Sequence, residues 1–434
     1  MSTTLLNSAI ALSKDLGDHW ASTTTSDGAA DGTTLVDTAL KAKANDWVTD
    51  EAWVMLTEEP TGGATSLYEE RKLSSLSNTA GTLTVLAFGE KVVSGIDYQA
   101  HRLFSPSEKR LALISAARTT FPWLFAEVRN ESKTSGNWLL NGDVEIWALS
   151  TYPDYWRVSA VTATATTTAK LFRRGSTSCK LSGAAGYLYQ DWTLVDDLKE
   201  LRGQTATFSA KGWSDTASSL RLSVNDGTTT TYSTYHPGNS AWTDENGGTW
   251  YVSANISSTA TDVAFRVYRD SATSTDYIDD LRVTCGYYDK VYIGDLSLAR
   301  TRPHRVSYQY ESLRFQEPWN NVRNFRVDSD NYLYLPDVPR DCILRIEGLG
   351  YLDYLVSGAS STAWTATIAV DDPQLKILTA EAVLYLHRQM VFPNNTSGDE
   401  KLWAEGYKRW MGELETRKSK FSMIAPHVQA NWGI

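Results

Sequence analysis

From residue 141 to residue 284 the chain is rich in Thr and Ser, its apolar residues fall in short alternating runs, and no helical period appears. Thr205–Lys211 (TATFSAK), Leu220–Val224 (LRLSV), Thr249–Ile256 (TWYVSANI) and Asp262–Tyr268 (DVAFRVY) each place every second side chain on one face. Turn formers separate them, as at Asn225-Asp226-Gly227 and Glu245-Asn246-Gly247-Gly248. Many short strands with regular turns and no helix predict an all-β sandwich, and a stretch of about 145 residues fits one domain.

The flanks have a different texture. Leu5, Ala9, Leu12 and Leu16 recur at helical spacing, and 21–32 (ASTTTSDGAADG) reads as a connector. Strand patterns follow at 51–57, 71–77, 82–88 and 96–104, the second and third joined at hairpin length by Asn78-Thr79-Ala80-Gly81. Ser105-Pro106-Ser107-Glu108 is a capping box with proline at the first helical position, followed by Leu111, Ile114 and Ala117 as the apolar stripe and by Phe121-Pro122 as the stop. After Cys285, strands are expected at 305–310, 324–327, 332–335 and 342–347. Asp372-Pro373 opens a helix to about Val391. Ser397-Gly398-Asp399-Glu400 caps a second, whose stripe is Leu402, Trp403, Tyr407, Trp410, Met411 and Leu414. The short link predicts an antiparallel αα-hairpin.

Neither flank looks self-sufficient. The expected fold is an α+β outer domain, with helices, a small antiparallel sheet and a C-terminal αα-hairpin, carrying an inserted all-β jelly-roll sandwich. The expected borders are 1–137 and 286–417 for the outer domain, 138–285 for the insert, and 418–434 for an extended tail ordered by a partner.

A net charge of −10 speaks against a nucleic acid gripped by a basic surface, and no apolar run reaches the ~18 residues of a membrane span. The start has no basic region before a hydrophobic stretch, and three scattered cysteines make neither a disulfide framework nor a zinc cluster. These features describe a soluble, acidic protein made in a reducing compartment. No phosphate-binding glycine loop, His-Glu-x-x-His pair or nucleophile elbow occurs, and the six histidines are dispersed. Asp196-Asp197 and Asp279-Asp280 are adjacent on strands, so each pair points to opposite faces and cannot flank one glycosidic bond. No enzyme is predicted.

Two aromatic sets remain. In the β region Tyr187, Tyr189, Trp192, Trp213 and Tyr235, with Tyr232 and Trp250, are available for stacking on a sugar, or for the core. In the helical region Trp403, Tyr407 and Trp410, with Lys418, Lys420 and Phe421 in the tail, are candidates for a subunit contact, or for covering the domain's own sheet.

Asn141-Gly142-Asp143-Val144-Glu145-Ile146-Trp147, followed by Pro153 and Trp156, resembles the opening strand of cellulase-associated jelly-roll carbohydrate-binding modules, with Val144 where that family usually has Phe. Gly175–Leu181 (GSTSCKL) and Tyr277–Val283 (YIDDLRV) resemble two further strands in the same order. The resemblance implies a possible structural Ca²⁺ on Glu145 and Asp279, and no other cofactor. It does not by itself imply sugar binding, since the fold hosts members that bind none.

The flanks resemble head–tail adaptor (connector) proteins of tailed bacteriophages, through the N-terminal helix, Asp31–Asp37 (DGTTLVD), Asn78–Val85 (NTAGTLTV), the capped helix from Ser105 and the terminal hairpin with its tail. That resemblance implies a structural protein of the virion neck, assembled in the host cytoplasm. Such a protein is a ring of twelve copies between the phage portal protein and a downstream neck or tail protein, with DNA passing through unbound. The alternative is a neck or tail fibre protein that binds a cell-surface glycan or receptor through the jelly roll. A secreted glycoside hydrolase is the weakest reading.

Overall fold

The computed structural model describes residues 2–49, 52–58, 67–168, 170–191, 198–245, 250–286, 289–310, 319–340, 342–391 and 400–424. The chain forms two compact units, one of Met1–Ala126 and Tyr351–Ala425, the other built on Glu127–Gly350.

In the first unit the N-terminal helix Leu5–Leu16 buries Leu5, Ala9 and Leu12 and ends on Gly17, whose φ of 68° suits a residue without Cβ. A six-stranded antiparallel sheet runs in the order Trp20–Thr23, Asp97–His101, Trp53–Leu56, Glu70–Ser77, Thr82–Val85, Thr34–Val36. The expected hairpin is present, with Ser77 opposite Thr82 and Gly81 at φ 69°. Two outer strands lie where none was expected. Residues 20–23, of which 21–23 are expected in a connector, form an edge strand, because an edge needs bonds on one side only and accepts Ser and Thr facing water.

The capping box is present as expected: Ser105 Oγ accepts from Glu108 N, and Glu108 accepts from Ser105 N. The stripe of helix Pro106–Thr119 is rotated from the expected one. Leu111 is 57% exposed, while Ala117 is buried and Ile114 half-buried as expected, and Lys109, Ala112, Leu113 and Ala116 make up the rest of the buried face. The Lys109 ammonium fixes that phase, bonded to Asp18 Oδ2 at 2.8 Å, Ser13 Oγ at 3.0 Å and His101 Nδ1 at 2.8 Å. Small alanines then let the neighbouring helix Leu375–Val391 approach closely.

Helix Leu375–Val391 begins later than Asp372-Pro373, which lie in a turn with Gln374. It packs antiparallel to Glu400–Phe421, since His387 meets Trp403 near one end and Arg417 bonds Lys376 O at the other. The expected capping box at 397–400 lies largely outside the described residues, as does the tail from 425 on with His427. Residues 418–421, expected to be extended, continue the helix. No helix among the described residues is long and apolar enough to cross a membrane.

The second unit holds the sandwich. Strand Ser178–Asp191 pairs on one side with Arg157–Thr166, with a register shift between Gly183 and Tyr187. Its first half pairs on the other side with Asp276–Thr284, and its second half with Ala264–Arg269. The first half thereby leads to Thr205–Ser214 and Tyr251–Asn255, and the second to Leu220–Asn225 and Thr230–Tyr232. The halves close over one core, where Phe208 and Phe265 meet at 5.7 Å between ring centroids and Trp138 and Trp156 fill one end. The opening segment 141–147 is a turn-rich loop rather than a strand. Asn141 explains this: its side chain bonds Ile146 N, Ile146 O and Asp154 O, giving local partners to groups that a ladder would otherwise take.

The compact unit is wider than 138–285. Strands Pro303–Tyr310 and Cys342–Gly350 and the small sheet of Lys290–Tyr292, Arg326–Val327 and Tyr332–Tyr334 enclose a core of their own around Val306, Leu333, Leu344 and Ile346. Polar ties join this part to the sandwich borders: Lys133 Nζ bonds Asp295 at 2.5 Å and Asp143 at 3.4 Å, and Ser135 N donates to Cys342 O at 3.0 Å. Hence residues 286–350, expected with the helical domain, group with the sandwich.

Candidate functional site

Period-two alternation builds one outer face of the sandwich. Leu220, Leu222, Val224, Phe265, Val267 and Leu188 point into the core. Their strand neighbours Arg221, Arg266, Tyr268, Tyr187 and Tyr189 therefore point out. Register sets Tyr187 opposite Tyr268 and Tyr189 opposite Arg266, then Tyr268 opposite Arg221 on the next strand.

The rings form a connected row. Centroid distances are 5.3 Å for Tyr189–Tyr187, 5.0 Å for Tyr187–Tyr268 and 5.6 Å for Tyr268–Tyr232. The Arg221 guanidinium lies 4.2 Å from the Tyr232 centroid and 4.8 Å from that of Tyr235, while Arg266 lies 5.1 Å from Tyr187. Asp270 fixes one end, pairing with Arg221 at 2.9 Å and accepting from Tyr235 Oη at 2.7 Å. That bond, with burial adding to it, pushes the Tyr235 phenol above its usual pKa. Tyr232 and Tyr235 are 44% and 39% exposed, so the row reaches solvent.

Of the residues proposed from sequence, Tyr187, Tyr189 and Tyr235 meet on this face, joined by Tyr232. Trp192 and the Asp196-Asp197 pair lie outside the described residues. Trp213 sits on the other half of the sandwich, 5.3 Å from Tyr277, and Trp250 is a core residue whose indole N–H donates to Thr234 O. Tyr268, Arg221, Arg266 and Asp270 were missed. The alternation of DVAFRVY and LRLSV contained the signal for the first three, because every residue between two core positions is outward.

Glu145 and Asp279 hold the same loop rather than a common cation. Glu145 accepts from Ser176 N at 2.8 Å, Thr177 N at 2.9 Å and Ser176 Oγ at 2.8 Å. Asp279 accepts from Arg173 N at 2.5 Å, Arg174 N at 2.8 Å and Asp280 N at 2.6 Å. Between the two anchors Gly175 has φ 65°, and a Cβ there would run into the Glu145 carboxylate. Burial raises the pKa of both acids, most strongly that of Asp279. Every oxygen of both carboxylates thus faces N–H or O–H donors, and a donor-rich shell does not fit a calcium ion. Among the described residues no group of three or more His, Cys, Asp or Glu is placed to hold a metal.

Asp279 and Asp280 are both buried, and a bulge turns the second aside: Lys211 pairs with Asp279 but Ser209 with Arg282, and Asp280 has φ 49°. Burial disfavours the Asp280 carboxylate, but the Arg174 and Arg282 guanidiniums outweigh it and hold its pKa at about 2. Thr207, Ser209, Lys211, Tyr251 and Ser253, with Asp280 and Arg282, line a shallow cleft of about 440 Å³.

The helical aromatics proposed for a subunit contact are largely taken up inside their own unit. Trp403 packs on Phe104 at 5.9 Å and His387 at 5.4 Å, and Tyr407 and Trp410 lie against the same core. Lys418 is buried with its ammonium 3.6 Å from the Trp123 centroid, and Phe421 is half-buried under Lys376. Of the six, only Lys420 is exposed.

No family model matches the sequence, and no curated protein matches it. Solved structures similar to part of the chain include TmCBM61 in complex with β-1,4-galactotriose, at 17% identity over 35% of this chain and 99% of that one, with a TM-score of 0.26. Another is the xylan-binding domain from CBM 22, at 19% identity over 34% of this chain and 94% of that one, TM-score 0.26. The enzymatically active domain of tailspike protein 4 of Bacteriophage CBA120 is similar at 14% identity over 35% of this chain and 22% of that one, TM-score 0.26.

Proposed function

We propose that this chain is a non-catalytic glycan-binding protein of a phage virion, and that the tyrosine face is its binding surface. The observation that carries the reading is the connected row Tyr189, Tyr187, Tyr268 and Tyr232 on one outer sheet face, half-buried along its length and open to solvent at Tyr232. Neighbouring rings are tilted by 43° to 62°, so each offers its own face or edge to one sugar, and the phenols and Asp270 supply hydrogen bonds to hydroxyls. Calorimetry of the full chain with β-1,4-galactotriose and with xylohexaose tests it. Binding of at least one is expected, weakened about tenfold by Tyr187→Ala. Absence of binding by both sugars would overturn the reading.

A second reading, the ring-forming head–tail adaptor, is favoured by the helical unit, whose helices leave Leu111, Leu402 and Met411 exposed, Leu402 at 69%. Such positions are available to a neighbouring copy. This reading expects a homo-oligomeric ring contacting the portal and a tail protein. A purely monomeric native mass, unchanged by added portal, would set it aside.

A further inference from the structure

The charges on the tyrosine face do not balance locally. Arg221 is paired with Asp270 at 2.9 Å, and Arg157, on the strand beside Tyr189, is paired with Asp191 at 3.2 Å. Arg266 lies between them, and among the described residues no carboxylate is within ion-pair distance of it. Its two terminal nitrogens make only long contacts, 3.4 Å to Tyr268 Oη and 3.4 Å to Asn225 Oδ1, and its buried Nε has no hydrogen-bond partner among the described residues, so the terminal nitrogens are the edge open to a ligand. A guanidinium offers five N–H donors in a planar fork that matches a carboxylate. This one is stacked beside Tyr187, where a bound sugar would lie.

We infer that the face selects an acidic glycan, one bearing a uronic acid, with Arg266 as the group that meets the carboxylate. The inference rests on the glycan-binding reading and adds the charge class of the ligand. The net charge of −10 makes a nucleic acid the poorer occupant, because its many phosphates would meet repulsion away from this patch.

The test compares two xylo-oligosaccharides on the full chain, xylohexaose and the same hexaose carrying one glucuronic acid branch. At low salt the acidic sugar is expected to bind about tenfold more tightly, as befits one charge-assisted hydrogen-bonded contact. That preference should collapse in 1 M NaCl and in Arg266→Gln. The salt titration needs no variant and so stands even if Arg266→Gln misfolds. Equal affinity for the two sugars, or a preference that survives high salt or Arg266→Gln, overturns the acidic-glycan inference and leaves the glycan reading standing. Binding of neither sugar overturns both. Tighter binding of oligothymidylate than of the acidic sugar overturns the inference in favour of a single-stranded nucleic acid.

Discussion

Two aromatic sets, one in each compact unit, come to opposite ends. In the helical hairpin Trp403, Tyr407 and Trp410 recur every three or four residues, and that spacing turns all three toward the same core. In the sandwich the tyrosines alternate with core residues, so they are turned away from the core by the same pleat that fills it. A helix has one buried stripe, and a large apolar residue on it is absorbed. A strand has two faces, and what is written between the core positions is left for a ligand. Aromatic content is therefore no guide to function until the period is known.

The comparison can be broken most forcefully in the helical unit. Lys109→Met leaves Asp18 in a buried site without its cation, where it still accepts from Arg102 N, Leu103 N and Phe104 N. Losing one partner of a buried pair costs about 3–5 kcal/mol. Chemical denaturation should show that loss, with sugar affinity of the remaining folded protein unchanged.

Next in size is Trp403→Ala, which empties a half-buried site against Phe104 and His387 and should cost about 2–3 kcal/mol with affinity intact. Tyr187→Ala is its mirror image, with a stability change of at most about 1 kcal/mol beside the loss of binding. If the two variants traded signatures, the division into packing and binding aromatics would fail.

Acid provides a third test, within the sandwich. Asp280 is held at about 2 in the folded chain, below its ordinary 3.8. A depressed carboxylate contributes stability that is present above pH 4 and lost as pH falls toward 2, about 2 kcal/mol in all. The margin between the native protein and Asp280→Asn should therefore shrink over pH 5 to 2 in acid-melting curves. Asp279, with its raised pKa, works in the opposite direction in both proteins, and losing the neighbouring Asp280 charge relaxes part of that rise in the variant. The smallest effect concerns Glu145 and Asp279: a chelator should leave the melting temperature unchanged, and a drop of several degrees would put a cation between them.

Much of this architecture was legible in the chain itself. Period-two runs announced the sandwich strands, Ser105-Pro106-Ser107-Glu108 fixed a helix start to the residue, and the two-residue spacing of Tyr187 and Tyr189 puts them on one strand face, because these are local consequences of backbone geometry. Other features depended on groups distant in sequence. Leu111 lost its place in the helix stripe to Lys109, whose partner Asp18 is 91 residues away. The 141–147 segment became a loop because Asn141 bonds its own neighbourhood. Residues 286–350 joined the sandwich through Lys133, Ser135 and a separate core. Tyr268, Arg221 and Arg266 became neighbours of Tyr187 only through strand register, which no single strand contains. The sequence by itself determined how side chains alternate between the two faces of each sandwich strand. The tertiary structure decided which of them meet, because register and ion-pair partners are set by the packing of the whole unit.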